Sequence, residues 1–166
     1  MRYYLLIAAT ITMSRAADAP RVSSRPPITI SDTIGCRRAA IGAVTTWLNA
    51  IGTGDTAAVR KSVARHFAWI SAGRNDWPEP TFSATGFADL FAYVRRRAAQ
   101  HEHIADVSIP TGGWHEGRLR LGIVSYTRTA DDVPGIEHWL GKGEYECGEG
   151  IYLFSAAPQR RLGQLR

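Results

Sequence analysis

The change in hydrophobic spacing along the chain is the feature that most constrains its fold. Over residues 34–51 and 86–98, apolar side chains recur every three or four positions, which is typical of amphipathic helices. From about residue 104 to 156 the apolar residues mostly alternate with other residues, as they do in strands. Helices that come first and hairpin-connected strands that follow predict an α+β domain rather than a doubly wound sheet.

Capping residues and glycine turns set the boundaries of the predicted helices. Residues 31–33 offer N-cap oxygens to the first helix, which ends at the glycine turn 52–54. Asp55 caps a short second helix that runs through Ala64, and Thr85 caps the third.

The remaining segments predict strands joined by turns and one long loop. We expect residues 118–128 to form one continuous strand, a turn at 111–113, and a loop over 131–141. In the long strand, one face carries Leu119, Leu121 and Ile123, and the other carries Val124 and Tyr126. The other predicted strands cover residues 66–70, 104–109, 144–147 and 151–156.

The order of these elements resembles the nuclear transport factor 2-like superfamily, which includes ketosteroid isomerases and SnoaL-like polyketide cyclases. The resemblance covers roughly residues 36–157, and it is most specific at the turn Ile51-Gly52-Thr53-Gly54-Asp55, followed by a short helix and an aromatic strand. It implies a cone-shaped α+β fold in which three N-terminal helices pack in a curved antiparallel sheet. A pocket at the wide end would bind a small molecule.

The ketosteroid isomerase pattern can be laid on this sequence from the turn at residues 54–55. The tyrosine that donates to the steroid oxygen then falls on Trp47, and the aspartate that moves the proton falls on Ser71. A serine hydroxyl is no base at neutral pH without a neighbour that activates it. The resemblance therefore implies the fold and its pocket without steroid isomerase chemistry, and it implies no cofactor.

The N-terminus has the composition of a secretory signal peptide. Arg2 precedes an apolar run over residues 3–13, and the small residues Ser14 and Ala16 fit the cleavage rule. The product would be secreted or periplasmic, whereas a true start at Met13 would make it cytoplasmic. We expect a signal peptide over 1–16, a linker over 17–33, the folded domain over 34–157 and a flexible basic tail over 158–166.

The net charge of +5 comes from the two ends of the chain. Residues 17–158 carry 15 basic and 15 acidic side chains, so the domain offers no basic excess to a nucleic acid. No stretch approaches the roughly 20 apolar residues that span a bilayer, so we expect no stable membrane insertion.

Cys36 and Cys147 are the two cysteines of the chain. In an oxidising compartment such a pair is often a disulfide, and in the cytosol it is more often two buried thiols. The sequence leaves both readings open because it does not show whether the two Cα atoms come within about 7 Å.

The candidate catalytic residues are general bases. A histidine can take up a proton near neutral pH, and an aspartate can do so where its surroundings favour it. His101 and His103 would bind zinc only with a third ligand from His66, His115 or His138, and we expect no metal. The candidate bases are His66, Asp76, His101 and His103.

The candidate pocket residues combine aromatic rings with a few polar groups. Such a lining suits a flat, mostly apolar or ring-shaped ligand. We expect Trp47, Trp69, Ser71, Arg74, Arg120 and Tyr126 there, with Arg120 able to face either side of its strand. Asp131, Asp132 and Lys142 flank the long loop, which the resemblance implies would lie at the pocket rim. There they either form an exposed ion pair or take part in function.

Three functions remain open from the sequence. The first is binding of a small, mostly apolar molecule without strong catalysis, and the second is a cofactor-free isomerase, cyclase or dehydratase. The third is a structural or protein-partner role. The last strand carries Ile151 and Leu153 on one face and Tyr152 and Phe154 on the other, which predicts a homodimer through the sheet.

Overall fold

The computed structural model describes residues 30–73 and 82–159. The predicted signal peptide, residues 74–81 with Arg74 and Asp76, and the tail from residue 160 lie outside the described residues. The helices are α1 (Ile30–Thr53), α2 (Thr56–Ser62) and α3 (Phe87–Ala98). The strands are β1 (Trp69–Ala72), β2 (Phe82–Ala84), β3 (His103–Ser108), β4 (Thr111–His115), β5 (Arg118–Leu121), β6 (Val124–Thr129), β7 (Glu137–Glu146) and β8 (Gly150–Pro158).

The helices bury the apolar stripes that the sequence spacing predicts. In α1, Val44 and Leu48 are fully buried, and α1 already begins at Ile30, within the predicted linker. The Asp55 cap is confirmed, since its Oδ1 accepts hydrogen bonds from the amides of Ala57 and Ala58 at 3.0 and 2.9 Å.

The predicted cap of the third helix is wrong. Gly86 occupies the N-cap of α3 in an extended backbone conformation, one residue beyond Thr85, and no side chain of the described residues caps it. The helix is held in place by the apolar face that contains Leu90 and Val94.

The sheet is curled, and it is mixed rather than purely antiparallel. Its order is β2–β1–β8–β7, and the far edge of β7 pairs with β6 along its first half and with β5 along its second. Strand β4 flanks β5, β3 flanks β6, and β1 runs parallel to β8 while the other pairs are antiparallel. The α+β class is confirmed, with one correction: the sheet contains a parallel pair, so it is not purely antiparallel. As the sequence predicts, a strand precedes the third helix.

The predicted long strand is broken at Gly122 and Ile123. The Gly122 amide donates to the Pro110 carbonyl at 2.6 Å, and a Cβ at this position would lie 2.9 Å from the Pro110 ring. The break shifts the alternation by one residue, so Ile123 is 66% exposed and both apolar sets face the core. These sets are Leu119 and Leu121 from β5, and Val124 and Tyr126 from β6.

Two other boundaries differ from the sequence prediction. Residues 111–113, predicted as a turn, open strand β4, and β7 begins at Glu137 inside the predicted loop. Cys36 on α1 and Cys147 after β7 form a disulfide, with their Cα atoms 5.4 Å apart. None of the helices among the described residues contains a stretch long and apolar enough to cross a membrane.

Candidate functional site

A buried cluster of charged side chains lies between α3 and the sheet. Its centre is Arg128 on β6, which is 1% exposed. Arg128 donates from Nε to Glu102 Oε2 at 3.0 Å, from Nη1 to Glu137 Oε2 at 2.7 Å and from Nη2 to Asp132 Oδ1 at 2.9 Å. From the helix side, Arg97 Nε donates to the same Glu102 oxygen at 2.5 Å. We call Arg97, Glu102, Arg128, Asp132 and Glu137 the ion cluster.

The register of the strands brings the ion cluster together. Arg128 pairs across the ladder with Glu137 on β7 and, on its other side, with Ile104 on β3. Glu102 lies two residues before Ile104 and therefore points to the same side of the sheet. Asp132 follows Arg128 by four residues, so the turn after β6 returns its carboxylate to the guanidinium.

Two aromatic rings of the sheet adjoin the ion cluster. Tyr126 and Trp139 are paired across β6 and β7, with ring centroids 6.0 Å apart and planes inclined by 21°. The Trp139 indole nitrogen donates to Glu137 Oε2 at 2.8 Å, so Glu137 accepts from both Trp139 and Arg128. Burial raises the pKa of Tyr126 well above its usual value, and the nearby Tyr93 and Glu102 raise it further, against the effect of Arg97. Tyr126 is therefore a neutral phenol at physiological pH.

Electrostatics in the ion cluster favour the charged form of Arg97. Burial lowers the pKa of this guanidinium, but the charges of Glu102 and other acidic neighbours outweigh burial and leave the pKa above its usual value. Arg97 Nη1 also lies 3.6 Å from Asp132 Oδ2. A permanently charged pair of arginines thus holds the Asp132 carboxylate from two sides.

A cavity of about 160 Å³ opens beside the ion cluster. It lies between the C-terminal half of α3, the end of β1 and the beginning of β7. Phe82 and Tyr93 stack in its wall with ring centroids 3.9 Å apart and planes 11° from parallel. Among residues 30–73 and 82–159, the lining is Ala72, Gly73, Phe82, Tyr93, Arg96, Arg97, Gln100, Asp132 and Trp139.

This lining can bind a small ring and act on it. The flat faces of Phe82, Tyr93 and Trp139 suit a ring, and arginine and carboxylate groups beside them can fix polar substituents. Asp132, whose side chain is 27% exposed, offers a carboxylate that can accept a hydrogen bond or a proton at the cavity wall. Among residues 30–73 and 82–159, no group of His, Cys, Asp or Glu is arranged to hold a metal ion.

The structure disperses most of the predicted pocket residues. Trp47 is buried in the core, and its indole nitrogen has no hydrogen-bond partner among the described residues. Trp69 and Ser71 are half-buried on β1, where the Ser71 hydroxyl donates to Ser155 Oγ at 3.1 Å. Arg120 faces outward, 3.8 Å from Glu144 Oε1, and Tyr126 lies behind the cavity wall. None of these five is among the residues that line the cavity.

The candidate histidines lie at the surface. His66 and His103 are exposed, and His101 is 82% exposed with its Nδ1 2.6 Å from Asp131 Oδ2. This pair links the turn after α3 to the loop after β6, outside the cavity.

The rim loop contributes one residue to the site. Asp132 is in the cavity wall, whereas Asp131 pairs with His101. Lys142 lies on the outward face of β7, where it borders a shallow hollow of about 350 Å³ together with Ile123 and Leu140. The predicted pairing of Lys142 with an aspartate is not seen among the described residues.

Sequence reasoning overlooked most of the ion cluster. Arg128 occurs two residues after Tyr126, on a face otherwise filled by apolar side chains, and a charge in that register signals a buried ion pair. Arg97 likewise follows Val94 by three positions on the buried stripe of α3. These two positions could have been found from spacing, but their partners Glu102 and Glu137 could not.

The solved structures that resemble this chain share its fold at low sequence identity. One is a chain from Agrobacterium tumefaciens provisionally named an isomerase of the SnoaL-like family, with 12% identity, a TM-score of 0.52, and coverage of 74% of this chain and 99% of the other. Another, from Novosphingobium aromaticivorans, is provisionally named a scytalone dehydratase, with 10% identity, a TM-score of 0.53 and coverage of 80% and 89%. A third, from Thiobacillus denitrificans, is provisionally named a calcium/calmodulin-dependent protein kinase type II association domain, with 17% identity, a TM-score of 0.53 and coverage of 72% and 94%.

These likenesses confirm the nuclear transport factor 2-like fold that the sequence resemblance implies. No protein-family model and no curated protein sequence matches the chain. Two of these neighbours are named as enzymes and the third as an association domain. The chemistry of the site therefore has to be argued from its own residues.

Proposed function

We propose that this protein binds a small ring-shaped molecule in the cavity beside the ion cluster. The observation that carries the proposal is the combination of a stacked aromatic wall, Phe82 on Tyr93, with buried charged groups that face the same space. Buried ions cost free energy that a well-packed apolar core would not, so their position at a cavity favours a role in recognition over a role in stability.

Filling the cavity tests this proposal. Ala72 lines it from the end of β1, and Ala72→Phe would occupy the space of a ring. Ala92→Phe is the matched control, because Ala92 lies on the exposed side of α3 and does not line the cavity. We expect mass spectrometry of the purified full chain to detect a ring-bearing small molecule with the wild type and the control but not with Ala72→Phe. Equal recovery from all three proteins would contradict the proposal.

A second candidate, a cofactor-free isomerase, cyclase or dehydratase, is favoured by Asp132 at the cavity wall. Its carboxylate is fixed by Arg128 at 2.9 Å, and it can take a proton from a bound substrate. Asp132→Asn keeps the shape but removes the base, so this variant should retain unreacted substrate where the wild type carries product. Asp131→Asn is the control, since Asp131 pairs with His101 outside the cavity. Identical bound molecules in the wild type and Asp132→Asn would argue against the acid–base role.

We also propose that the chain forms a homodimer through the outward face of its sheet. Ile123 and Leu140, which is 38% exposed, border the hollow there, and such apolar exposure favours a second subunit. Leu140→Lys should halve the sedimentation mass at micromolar concentration, whereas Ile136→Lys, at an exposed loop position, should not. A wild-type mass of one protomer would refute the dimer.

We further propose that the protein is exported. The Cys36–Cys147 disulfide supports this, because such bonds persist mainly in oxidising compartments. N-terminal sequencing of the cell-made protein tests it, and a mature chain that begins at Met13 would contradict it.

A further inference from the structure

The balanced charge of the domain hides an uneven distribution along the chain. Residues 30–73 and 82–101, which contain the three helices, carry eight basic and three acidic side chains. Residues 102–159, which form strands β3 to β8, carry four basic and nine acidic side chains. The helical layer is therefore positively charged and the strand layer negatively charged, and such a separation orients a protein toward an anionic partner.

Four cations of the helical layer lie on the exposed surface of α2 and α3. Arg60 and Lys61 are in the last turn of α2, and Arg95 and Arg96 are in the last turn of α3. All four residues are exposed. We call Arg60, Lys61, Arg95 and Arg96 the helical patch.

Contacts between the two helices bring the helical patch together. The Arg60 guanidinium reaches from α2 to α3, where its Cζ lies 4.4 Å from the centroid of the Phe87 ring and 5.1 Å from that of Phe91. These cation–π contacts hold Arg60 in place at the surface. Arg95 follows Phe91 by four positions and therefore lies one turn further along the same side of α3.

The surface between the cations is made of short side chains. Ala88, Ala92 and Ala99 are exposed at spacings of four and seven, so they form the outermost line of α3. Arg95 and Arg96 flank this line on its two sides. Long side chains beside a row of alanines can extend toward a flat surface that approaches the helix.

The other side chains of α2 and α3 favour a lipid surface over a nucleic acid. Neither helix contains Asn or Gln, the amides that read base edges, and neither exposes an aromatic ring on which a base could stack. No large apolar side chain of either helix is exposed, so insertion into a bilayer is not expected. What remains for recognition is positive charge on a surface of short side chains.

We propose that the helical patch docks the protein on an anionic phospholipid surface. The guanidinium and ammonium groups pair with lipid phosphates, while the acidic strand layer faces away from the membrane. The contact is peripheral and electrostatic, so salt weakens it. This inference goes beyond the proposed function and does not depend on a ligand in the cavity.

The test is co-sedimentation of the full chain with vesicles of phosphatidylcholine alone or with about one third phosphatidylglycerol. At about 0.05 M salt we expect binding to the anionic vesicles to be at least about tenfold tighter, and at about 0.5 M salt the preference should disappear. Removing two cations in Lys61→Gln/Arg95→Gln should weaken binding about 25-fold, because each cation near the membrane contributes about fivefold.

The matched control is Arg120→Gln/Lys142→Gln, which has the same net charge as the test variant but removes its cations from the outward face of the sheet. We expect this control to change binding by less than about twofold, because its cations lie away from the lipid.

Three results would overturn the inference. The first is equal binding of the wild type to neutral and anionic vesicles. The second is an equal loss in the two double variants, since binding would then follow net charge rather than the helical patch. The third is tighter binding to duplex DNA than to anionic vesicles at equal phosphate concentration, which would assign the patch to a nucleic acid. None of these results bears on ring binding, which Ala72→Phe tests separately.

Discussion

Replacement of Arg128 by methionine should remove the centre of the ion cluster while keeping a side chain of similar length. The change deletes the hydrogen bonds to Glu102, Glu137 and Asp132 at 3.0, 2.7 and 2.9 Å. Breaking a buried ion pair from one side costs about 3–5 kcal/mol, because the remaining charge stays buried without its partner. Asp132 is partly exposed, so solvent screens its interaction with Arg128. Most of the lost stability therefore comes from Glu102 and Glu137.

The assay is urea unfolding of the disulfide-intact full chain at pH 7, followed by tryptophan fluorescence. We expect the free energy of unfolding of Arg128→Met to fall by about 3–5 kcal/mol, a large share of the 5–15 kcal/mol typical of a domain. Adding Glu102→Gln to this variant neutralises one stranded carboxylate and should restore about 1–3 kcal/mol. If Arg128→Met does not fold, Arg128→Lys replaces it, with a loss of about 1–3 kcal/mol.

The control is Arg95→Met on the exposed side of α3, which should change the free energy of unfolding by no more than about 0.5 kcal/mol. A loss below about 1 kcal/mol in Arg128→Met, or no recovery in the double variant, would refute the reasoning. The ion cluster would then make no measurable contribution to the free energy of unfolding.

Three further predictions concern the fold. Replacing Cys36 and Cys147 by serine opens a loop of 111 residues and should lower the free energy of unfolding by about 4–5 kcal/mol in the chain-entropy model, measured by urea unfolding; a loss below about 1 kcal/mol would contradict it. The folded-state pKa of Tyr126 is raised, so its contribution to stability is complete below the unfolded value near 10 and is lost as the pH rises toward the folded value. Unfolding measured from pH 9 to 11.5 should therefore show a smaller alkaline loss in Tyr126→Phe than in the wild type, by up to about 1.4 kcal/mol per pH unit; equal slopes would contradict this. Gly143→Ala would place a Cβ 2.5 Å from the Leu153 carbonyl and should cost about 1–3 kcal/mol in urea unfolding, whereas Gly113→Ala, with open space around it, should cost less than about 1 kcal/mol.

The helices and the fold class could be predicted because their signals are local. The cap at Asp55 and the stripe of α3 each lie within one or two helical turns, and both are seen in the structure. The break at Gly122 was missed because its cause is not local. It depends on the approach of Pro110, twelve residues earlier, which leaves no room for a side chain and flips the alternation between β5 and β6.

The site was harder to predict than the fold for the same reason. Residues such as Trp47 and Tyr126 have the right chemistry for a pocket, but large rings on the inward face of helix and sheet also fill the core, and here they are buried. The resemblance implied a rim position for the loop that contains Asp132, and Asp132 lines the cavity of the structure. Its partner Arg128 was overlooked because the sequence does not show directly that this position of β6 is buried. A charged residue at a buried strand position indicates a buried ion pair.

The arrangement of the ion cluster bears on whether the site evolved for stability or for recognition. A stability device needs only matched charges, and apolar side chains of equal volume often do as well or better. Here the strand register brings two arginines and three carboxylates together between α3 and the sheet, and two members, Arg97 and Asp132, face the cavity. The other members hold these two in place, as when Glu102 accepts from both arginines. Side chains that are held by hydrogen bonds within the protein and also line a cavity are pre-organised for a ligand. The entropy cost of ordering them arises during folding rather than on binding.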